Sequence, residues 1–535
     1  MTLHPDVEAR LARLAPDQRA AATAPPGPVL CVAPAGSGKT TTLVARVCWL
    51  VASGADPASI TAVTFNKRAA EELGQRLALA LEPLSPAASP RVRTFHALGR
   101  EILAEARVPV ANLVDRADAL RALNGGRSVP ATDMRRLDDG FSRLKLDAGL
   151  DLATAVRSLG EANSKAPDEV DLLKRFVAYE GWLAQRDALD FDDLVRRALR
   201  VLRDDAAALA AWRARCATLL VDEVQDVDRS QLDLAVLLAG ERRDIFLVGD
   251  DDQTIYAWRL ADVRRVLDLA GALPGLRRVD LVTNYRCPRP VVERAVRLIS
   301  RNRERFAKSI RARVGAAGTL VLAPDSGDGL DRARRLLSAW LPAASGVHAV
   351  LARTNAELAP YAAVALERGT PYRAAEDGLL LDDPVIDTLT AALPANERPT
   401  IALARQDGQG NRLARSLAGW ALPYPSVAEL RVAIAAARRR RAELRQNDAP
   451  LVLATAHGTK GLEFDHVAVI GMDEHVFPSR RTLEEADDPA RALEEERRLA
   501  YVAWTRARQS LTLVYDPTAP SIFMREAFSP AELAA

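Results

Sequence analysis

The sequence predicts an α/β protein built from two parallel-sheet cores with mostly helical insertions. Short β-branched or apolar runs alternate with longer stretches of helical spacing along the 535 residues, which is the pattern of parallel sheets covered by helices. The strand-like runs form two groups, one before about residue 280 and one spanning 280–360 and 450–515. At about 150 residues per domain, this length favours three or four domains.

Composition and charge exclude several classes of protein. Hydrophobic residues make up 48% and charged residues 27% of the chain, which excludes a disordered protein. The net charge is only +2, so any nucleic-acid surface must be a local groove. The four cysteines are far apart, without metal-ligand spacing. The amino terminus does not have the pattern of a signal peptide, and no run of about 18 apolar residues occurs. We therefore expect a cytoplasmic protein without a membrane segment.

Nine apolar or β-branched runs predict strands. They are Val29–Val32, Ile60–Phe65, Thr218–Val221, Ile245–Val248, Val279–Val282, His348–Leu351, Leu451–Thr455, Val467–Ile470 and Leu511–Tyr515. Residues 97–215 and 374–450 instead show mostly helical spacing. A helix predicted at Val427–Gln446 carries four consecutive arginines, Arg438–Arg441. Because successive helical residues are about 100° apart, a solvated face is favoured there over a phosphate contact.

The segment APAGSGKTT predicts a phosphate-binding loop. It follows the apolar run VLCV and precedes a helix that ends near Gly54. Glycines let backbone N–H groups surround phosphate, and the helix amino terminus adds positive potential. The predicted nucleotide contacts are Ala33, Pro34, Ala35, Gly36, Ser37, Gly38, Lys39, Thr40 and Thr41. Lys39 is suited to the β- and γ-phosphates and Thr40 to Mg²⁺. Ala33 replaces the usual first glycine, so a fortuitous glycine-rich turn remains an alternative.

The segment LLVDEVQD predicts the hydrolytic carboxylates. Two acids follow a buried strand at its carboxyl end, where open α/β sheets bind ligands. Asp222 is suited to hold Mg²⁺, and Glu223 to orient and polarise the attacking water. A pair of ordinary surface acids is the alternative. Together the two segments predict a nucleoside triphosphatase.

Further short motifs resemble those of the UvrD/Rep-type superfamily 1 DNA helicases, in the family's order. They are Asp17-Gln18, AVTFNKRAAEEL from Ala62, TFHALGREIL from Thr94, DFDDL from Asp190, LVGDDDQTIYAWR from Leu247, TNYRCP from Thr283, the long string from Ala454 to Ser479 and EEERRLAYVAWTRARQSLTL from Glu494. Each string alone is weak evidence, but their order over nearly the whole chain leaves little room for coincidence.

The resemblance implies two RecA-like motor domains that hold ATP and Mg²⁺ between them. Gln18 would read adenine, Tyr285 would stack on the base, and Glu463 would accept a ribose hydroxyl. Gln253 would sense the γ-phosphate, while Arg286 and Arg506 would stabilise its transition state, a task suited to guanidinium groups. Structural salt bridges remain the alternative for both arginines, and ordinary aromatic packing for Tyr285.

The same resemblance implies a single-stranded DNA surface. Trp258 would be the principal stacking platform, with Phe65, Tyr256 and Arg259 beside it, while His96 and His457 would contact the backbone. Burial in the core is the alternative for Phe65, and hydrogen-bonded structural roles for the histidines. Asp190 and Asp193 are predicted to be a helix N-cap with an acidic third residue.

The domains that the resemblance implies are 1A (1–96 and 191–279), 1B (97–190), 2A (280–373 and 451–535) and 2B (374–450). The 2B region is shorter than in full-size members, which favours ATPase and translocation over processive duplex opening. Val224 stands where the family usually has an aromatic, and TFNKRAA replaces the commoner TFTNKAA; neither change removes a group with a chemical task.

The leading function is an ATP-dependent 3′→5′ translocase or helicase on single-stranded DNA in repair or recombination. Its partners would be single strands and 3′-tailed or forked duplexes. A translocase subunit of a larger repair or anti-phage complex, with a partner protein, is one alternative. An ATP-switched DNA clamp without processive unwinding is another. RNA stays open because stacking platforms do not read the 2′-hydroxyl.

Overall fold

The computed structural model describes residues 3–84, 89–127, 129, 131–161, 166–341, 345–375, 385–407, 417 and 421–534. The chain divides into two compact units. The first consists of Met1–Tyr285 and Asn302–Arg311, and the second of Arg286–Arg301 and Ala312–Ala535. In the part of the chain described here, helices long and apolar enough to span a membrane are absent.

A six-stranded parallel sheet forms the centre of the first unit. Its strands in chain order are β1 (Val29–Val32), β2 (Ile60–Thr64), β3 (Arg91–Thr94), β4 (Thr218–Asp222), β5 (Ile245–Gly249) and β6 (Arg277–Asp280). In space the order is β3-β2-β4-β5-β1-β6, and every neighbouring pair is parallel. Val29 and Cys31 of β1 enter one hydrophobic core and Leu30 and Val32 another, as expected where successive side chains alternate between faces.

Helices cover this sheet and extend from it. Their bounds are Pro5–Ala12, Pro16–Ala22, Lys39–Ala52, Lys67–Leu81, Phe95–Glu105, Arg116–Leu123, Ala131–Ser142, Leu152–Gly160, Pro167–Ala184, Phe191–Asp204, Ala206–Arg215, Arg229–Ala239, Val263–Leu267 and Leu269–Ala272, with a π-helical turn at Arg143–Asp147. The helices from Arg116 to Ala184 share a separate hydrophobic core around Phe141, Phe176 and Tyr179.

Two short strands lie near the points where the chain passes from one unit to the other. They are β7 (Thr283–Asn284) and β8 (Arg311–Ala312).

The second unit contains another six-stranded parallel sheet. Its strands are β9 (Thr319–Pro324), β10 (His348–Ala352), β11 (Tyr372–Ala374), β12 (Leu451–Thr455), β13 (Phe464–Val469) and β14 (Ala507–Tyr515), in the order β11-β12-β10-β13-β14-β9. All its strand pairs are parallel. Its helices are Arg289–Ile299, Gly329–Trp340, Asn355–Arg368, Val385–Ala391, Pro399–Asp407, Val427–Leu444, Arg480–Glu484, Pro489–Trp504, Ile522–Ala527 and Pro530–Ala534.

Within the second unit, the helices at Val385–Ala391, Pro399–Asp407 and Val427–Leu444 have a hydrophobic core of their own. The four consecutive arginines of the last helix diverge. An Arg438 Nη1 lies 2.8 Å from Asp387 Oδ1, Arg440 donates to the Leu366 carbonyl, Arg439 is exposed and Arg441 is buried. Their side chains therefore do not form one cationic stripe.

The predicted fold class is confirmed, with corrections to the bounds of individual strands. The strand expected at Val279–Val282 is Arg277–Asp280, and the strand expected at Ile60–Phe65 ends at Thr64. Strands β3, β9 and β11 were not predicted from the sequence. Each is an outermost strand of its sheet, where one edge lacks a neighbour and an unbroken apolar run is not required.

Candidate nucleotide site and nucleic-acid interface

The phosphate loop lies between β1 and the helix Lys39–Ala52. Gly36 and Gly38 have φ values of +68° and +83°, conformations that favour glycine. The Ser37 N–H donates to the Pro34 carbonyl at 3.0 Å, and the buried Ser37 hydroxyl has no hydrogen-bond partner among the described residues. The helix begins at Lys39, so its unpaired N–H groups and positive end are available to a phosphate.

Gln18, which precedes the phosphate loop in the chain, forms a hydrogen bond to it. Its Nε2 donates to the Ser37 carbonyl at 2.9 Å, and its Oε1 accepts from the Ala15 N–H at 3.1 Å. A Cβ on Gly38 would lie 2.6 Å from Gln18 Nε2, so this approach requires glycine. The predicted reading of adenine by Gln18 stays a prediction, because the contacts seen here are with the loop itself.

Residues after β6 hold the same loop. The Asn284 amide donates to the Ala35 carbonyl at 2.8 Å, and the Tyr285 N–H donates to the Gly36 carbonyl at 2.8 Å. Asp17 accepts from the Val282 N–H. Tyr285 is 39% exposed, which leaves the residue accessible for the predicted stacking. Sequence reasoning missed Asn284, whose only signal was its place within TNYR.

Lys39 and Glu223 approach each other within the first unit. Lys39 Nζ lies 3.3 Å from Glu223 Oε2, and Gln225 Nε2 lies 2.5 Å from the same oxygen. Glu223 adopts φ +53° and ψ +45°, an uncommon conformation for a residue with a side chain. The turn after β4 thus orients the carboxylate predicted to position water.

Asp222 supplies a buried carboxylate at the end of β4. Burial and the charge of Glu223 raise its pKa to about 7, while Lys39 acts in the opposite direction. A cation would relieve this accumulation of negative charge, and carboxylate and hydroxyl oxygens are the ligands that Mg²⁺ prefers. Asp222 therefore fits the role of a magnesium ligand, and the part predicted for Thr40 stays a prediction. The described residues contain no group of three or more His, Cys, Asp or Glu arranged to hold a metal alone.

Hydrogen bonds continue from Glu223 to Gln253. Gln225 Oε1 accepts from the Asp250 N–H at 3.0 Å, and Asp250 Oδ2 accepts from Gln253 Nε2 at 2.7 Å. A Cβ on Gly249 would lie 2.3 Å from Gln225 Oε1, so glycine is required where Gln225 crosses β5. These bonds join Glu223, the carboxylate predicted to act in hydrolysis, to Gln253, the predicted γ-phosphate sensor.

An aromatic surface begins three residues after Gln253. Phe65 and Tyr256 stack with centroids 5.1 Å apart and an interplanar angle of 11°. Trp258 packs edge-on against Tyr256 at 5.9 Å, and the Arg259 guanidinium lies 4.6 Å from the Trp258 ring. Trp258 is 51% exposed and Phe65 is only partly buried. All four predicted residues come together here, and Phe65 is not a core residue.

His96 lies against Phe191 in the same unit. Their ring centroids are 5.6 Å apart, Phe191 is 60% exposed, and burial lowers the pKa of His96. Asp190 is the predicted N-cap, accepting from the Asp193 N–H at 3.0 Å. The sequence predicted the capping role of Asp190 and Asp193 but not a role for Phe191. The feature that could have indicated Phe191 is an apolar side chain at the first position of a helix whose first turn is otherwise mostly polar.

The second unit places Arg286, Glu463 and Arg508 together. Arg286 Nε lies 2.5 Å from Glu463 Oε2, and Arg508 pairs with the other carboxylate oxygen. Although burial opposes it, hydrogen bonding from Arg508 and the charge of Arg286 lower the pKa of Glu463 overall. The roles predicted for Glu463 with ribose and for Arg286 with γ-phosphate stay predictions. Arg508 was not singled out by sequence reasoning.

Arg506 and His457 also belong to the second unit. Arg506 is buried and donates to the carbonyls of Val502 and Leu462 at 2.9 and 3.1 Å. Burial and the nearby charges of Arg353 and Lys460 lower the pKa of His457 to about 4, so this histidine is neutral near pH 7. Their predicted roles at the γ-phosphate and the DNA backbone are not tested by these contacts.

Two domain families match the sequence. Residues 14–274 match the UvrD/REP helicase N-terminal domain, and residues 429–518 match the UvrD-like helicase C-terminal domain. The chain belongs to the UvrD/Rep helicase family. Because members of this family are helicases, the chain is an enzyme of that class. Its two parallel-sheet cores agree with this membership.

Curated relatives align over most of the chain. ATP-dependent DNA helicase UvrD2 of Mycobacterium tuberculosis (strain ATCC 25618 / H37Rv) is 30% identical over 94% of this chain and 78% of its own length. DNA helicase II of Escherichia coli (strain K12) is 28% identical, with coverages of 96% and 86%. ATP-dependent DNA helicase Rep of the same organism is 26% identical, with coverages of 94% and 90%. The UvrD/Rep motifs identified in the sequence thus lie within alignments that cover nearly all of this chain.

Proposed function

We propose that this UvrD/Rep family member is an ATP-dependent motor that moves 3′→5′ along single-stranded DNA. Relatives named ATP-dependent DNA helicases support ATP as the nucleotide that is hydrolysed and DNA as the polymer along which the protein moves. The two parallel-sheet units supply the residues for nucleotide chemistry, and an exposed aromatic surface supplies the contacts for a strand.

The observation that carries this proposal is the hydrogen-bonded path within the first unit. It runs from Lys39 through Glu223, Gln225 and Asp250 to Gln253. Tyr256 and Trp258 follow Gln253 within five residues. A change in the contacts of Lys39 or Glu223 at each hydrolysis cycle therefore has a short route to the residues proposed to bind bases.

The phosphate loop performs binding and orientation. Backbone N–H groups within Ala35–Thr41, other than that of Ser37, bind the phosphates, while Ala33, Pro34 and Ser37 shape the loop, and Lys39 binds the β- and γ-phosphates. Glu223, held by Lys39 and Gln225, accepts a hydrogen bond from the attacking water and orients it. Thr40 and Asp222 would hold Mg²⁺, which neutralises phosphate charge when bound.

Six further residues are proposed to recognise ATP. Gln18 contacts adenine, Tyr285 stacks on the base, and Glu463 accepts a ribose hydroxyl. Arg286 and Arg506 stabilise negative charge that develops on the γ-phosphate, since guanidinium groups provide planar donors that keep their charge. Gln253 senses the γ-phosphate, and the path through Asp250 carries this information toward Tyr256.

The strand would lie across the aromatic surface. Trp258 stacks on a base with Phe65, Tyr256 and Arg259 beside it, and each stacked base contributes about 1–3 kcal/mol. Phe191, exposed beside His96, is proposed as a further stacking residue for the strand. His96 and His457 contact the DNA backbone as hydrogen-bonding groups.

We assign domain 1A to 1–96 and 191–279, extended to Tyr285 in the first unit, and 1B to 97–190. Domain 2A comprises 280–373 and 451–535, less the residues of the first unit, and 374–450 is a reduced 2B. Because 2B is small, we propose that unwinding of long duplexes depends on a partner protein in repair or defence. A monomer that unwinds long duplexes unaided would contradict this dependence.

The test is a pair of assays on the purified chain. ATP turnover is measured with and without single-stranded DNA or RNA, and strand separation is measured on short duplexes with 3′ tails, 5′ tails or forks. The proposal predicts turnover stimulated by DNA and separation of 3′-tailed and forked substrates only. Nucleotide-dependent affinity without strand separation or movement would instead indicate a clamp.

A further inference from the structure

The segment 302–311 returns to the first unit from a helix of the second. The chain leaves the first unit after Tyr285, forms the helix Arg289–Ile299 in the second unit, and rejoins the first at Asn302 before leaving again after Arg311. Two of the chain's three crossings therefore flank this ten-residue segment. We call it the return segment.

Lys308 of the return segment lies inside a cluster of three acids. Its side chain has 0% exposure, and its Nζ lies 2.8 Å from Asp250 Oδ1 and 3.0 Å from Asp252 Oδ2. It also contacts Asp251 Oδ1. The three acids follow β5 consecutively, in the motif that contains Gln253.

Four more contacts attach the return segment. Arg305 forms a two-point pair with Asp252, at 2.9 Å from Nε and 2.7 Å from Nη2. The Phe306 N–H donates to Asp251 Oδ2 at 2.8 Å. Arg278 of β6 donates to the Ala307 carbonyl at 2.8 Å, and its guanidinium lies 4.4 Å from the Phe306 ring.

One residue in these contacts, Asp250, also belongs to the hydrogen-bonded path from Lys39 to Gln253. Asp250 binds Lys308 through Oδ1 and Gln253 through Oδ2, while its N–H donates to Gln225. One carboxylate thus joins the return segment, the proposed γ-phosphate sensor and the turn that carries Glu223.

The charges make this attachment resistant to separation. A buried ammonium group removed from its carboxylate partners would remain unpaired in a poorly solvated interior, and so would the carboxylates. The two-point pair of Arg305 adds a fixed orientation. Displacement of Asp250–Asp252 should therefore carry the return segment along rather than break the cluster.

We propose that Lys308 and Arg305 are positioning residues that transmit movement of the Gln253 sensor to the two flanking chain crossings. This inference rests on the proposed function and identifies how its nucleotide signal leaves the first unit. The covalent chain then carries the displacement into the helix Arg289–Ile299 and into residues after Arg311.

The test uses the full chain with Arg305→Gln, Lys308→Met and, as a control, Arg313→Gln, whose arginine is exposed just beyond the segment. Arg305→Lys tests whether charge without the two-point pair restores coupling. Four quantities are measured: thermal unfolding, basal ATP turnover, its stimulation by oligo-dT, and oligo-dT affinity with a non-hydrolysable ATP analogue and with ADP.

We expect Arg305→Gln and Lys308→Met to reduce DNA stimulation by about tenfold. The difference in oligo-dT affinity between the two nucleotides should shrink in parallel, with basal turnover retained. Arg305→Lys should recover part of both effects, and Arg313→Gln should behave as wild type. Arg305 lies at the edge of the cluster with 12% side-chain exposure, so Arg305→Gln decides the question if Lys308→Met does not fold.

A lower melting temperature with unchanged DNA stimulation and unchanged nucleotide-dependent affinity in Arg305→Gln would overturn this inference and indicate a structural role. That result would leave the proposed function standing. Absence of DNA stimulation in the wild type would instead overturn the proposed function, and this inference with it.

Discussion

Individual residues at the phosphate loop occupy backbone conformations that only the surrounding contacts explain. Glu223 has a left-handed φ of +53°, which costs on the order of 1–3 kcal/mol for a residue with a side chain. Gly38 has a φ of +83° and leaves room for Gln18. Lys39 and Gln225 hold the Glu223 carboxylate, so hydrogen bonds offset the strain and fix the group proposed to orient water.

Replacing Lys39 by alanine should abolish ATP turnover while single-stranded DNA binding persists. The change removes the ammonium group proposed to bind the β- and γ-phosphates, and loss of one such donor typically lowers kcat by about 10²–10³-fold. Turnover and fluorescence anisotropy with a labelled oligonucleotide measure the two properties. Lys174→Ala, at an exposed lysine of the helix Pro167–Ala184 in the same unit, is the control. Loss of DNA binding together with turnover would contradict the assigned role.

Replacing Trp258 by alanine should weaken single-stranded DNA binding by about 1–3 kcal/mol, because a stacking platform is lost. Basal nucleotide binding should stay at the wild-type value, since the phosphate loop is unchanged. Oligonucleotide and ATP-analogue titrations measure the two affinities, with Leu79→Ala at an exposed position of the same unit as control. Unchanged DNA affinity would remove Trp258 from the interface.

At the scale of elements, the interior strands of both six-stranded sheets were predictable from sequence, whereas three of the four edge strands, β3, β9 and β11, were not. Interior strands such as β1, β4 and β5 are buried throughout and therefore show as apolar runs. The edge strand β3 reads RVRT and is only half-buried, because an edge strand does not need an apolar face on both sides. A strand that is buried along its whole length therefore has an apolar run that can be recognised in the sequence.

Buried charge clusters were beyond sequence reasoning for a different reason. Lys145 has 0% side-chain exposure and pairs with Glu180, Asp190 and Asp193, which are distant in the chain. The capping interaction of Asp190 is local and was predicted. Its second role, linking the helix Phe191–Asp204 to the π-helical turn Arg143–Asp147, depends on tertiary contacts that have no local signature. The same holds for Lys308 at the candidate site.

Replacing Asp190 by alanine should lower the free energy of unfolding by about 3–5 kcal/mol. The change removes the helix cap and leaves Lys145 and Arg116 with fewer partners in the interior. Urea unfolding measures the effect. Asp204→Ala, at a 72% exposed aspartate of the same helix, should be nearly neutral. Equal effects for the two variants would show that the Lys145 cluster does not stabilise this unit.

The stability contributed by Asp228 should fall as pH rises. Asp228 caps the helix Arg229–Ala239, and burial raises its pKa from 3.8 to about 7 although the Gln231 N–H opposes this. A raised pKa means that the folded state holds the proton more tightly. The contribution is therefore complete below about pH 4 and is lost as pH rises through about 7.

Asp228→Asn keeps a capping side chain without the buried charge. We therefore compare the free energy of unfolding of the variant with that of the wild type. The variant's value relative to wild type should rise by about 2–4 kcal/mol as the pH increases from about 5 to about 8. Urea unfolding of both proteins at the two pH values measures this gain. A difference between the proteins that does not change with pH would contradict the assigned titration.

At the scale of the whole molecule, the protein combines two parallel-sheet units with nearly balanced charge. The net charge of +2 gives no general attraction to DNA, so binding must depend on local surfaces such as the one around Trp258. The resemblance identified the residues of both units, but composition and spacing alone reached only a nucleoside triphosphatase. Direction of movement is a property of the whole cycle, and no single residue in the sequence encodes it.

The most direct test of the central claim is displacement of streptavidin from biotinylated single-stranded DNA by the purified chain. The claim is that ATP hydrolysis drives movement in the 3′→5′ direction. Streptavidin on the 5′ end should be displaced in the presence of ATP, streptavidin on the 3′ end should remain, and Lys39→Ala should displace neither. Equal displacement from both ends, displacement from the 3′ end alone, or none from either end despite DNA-stimulated turnover would contradict the claim.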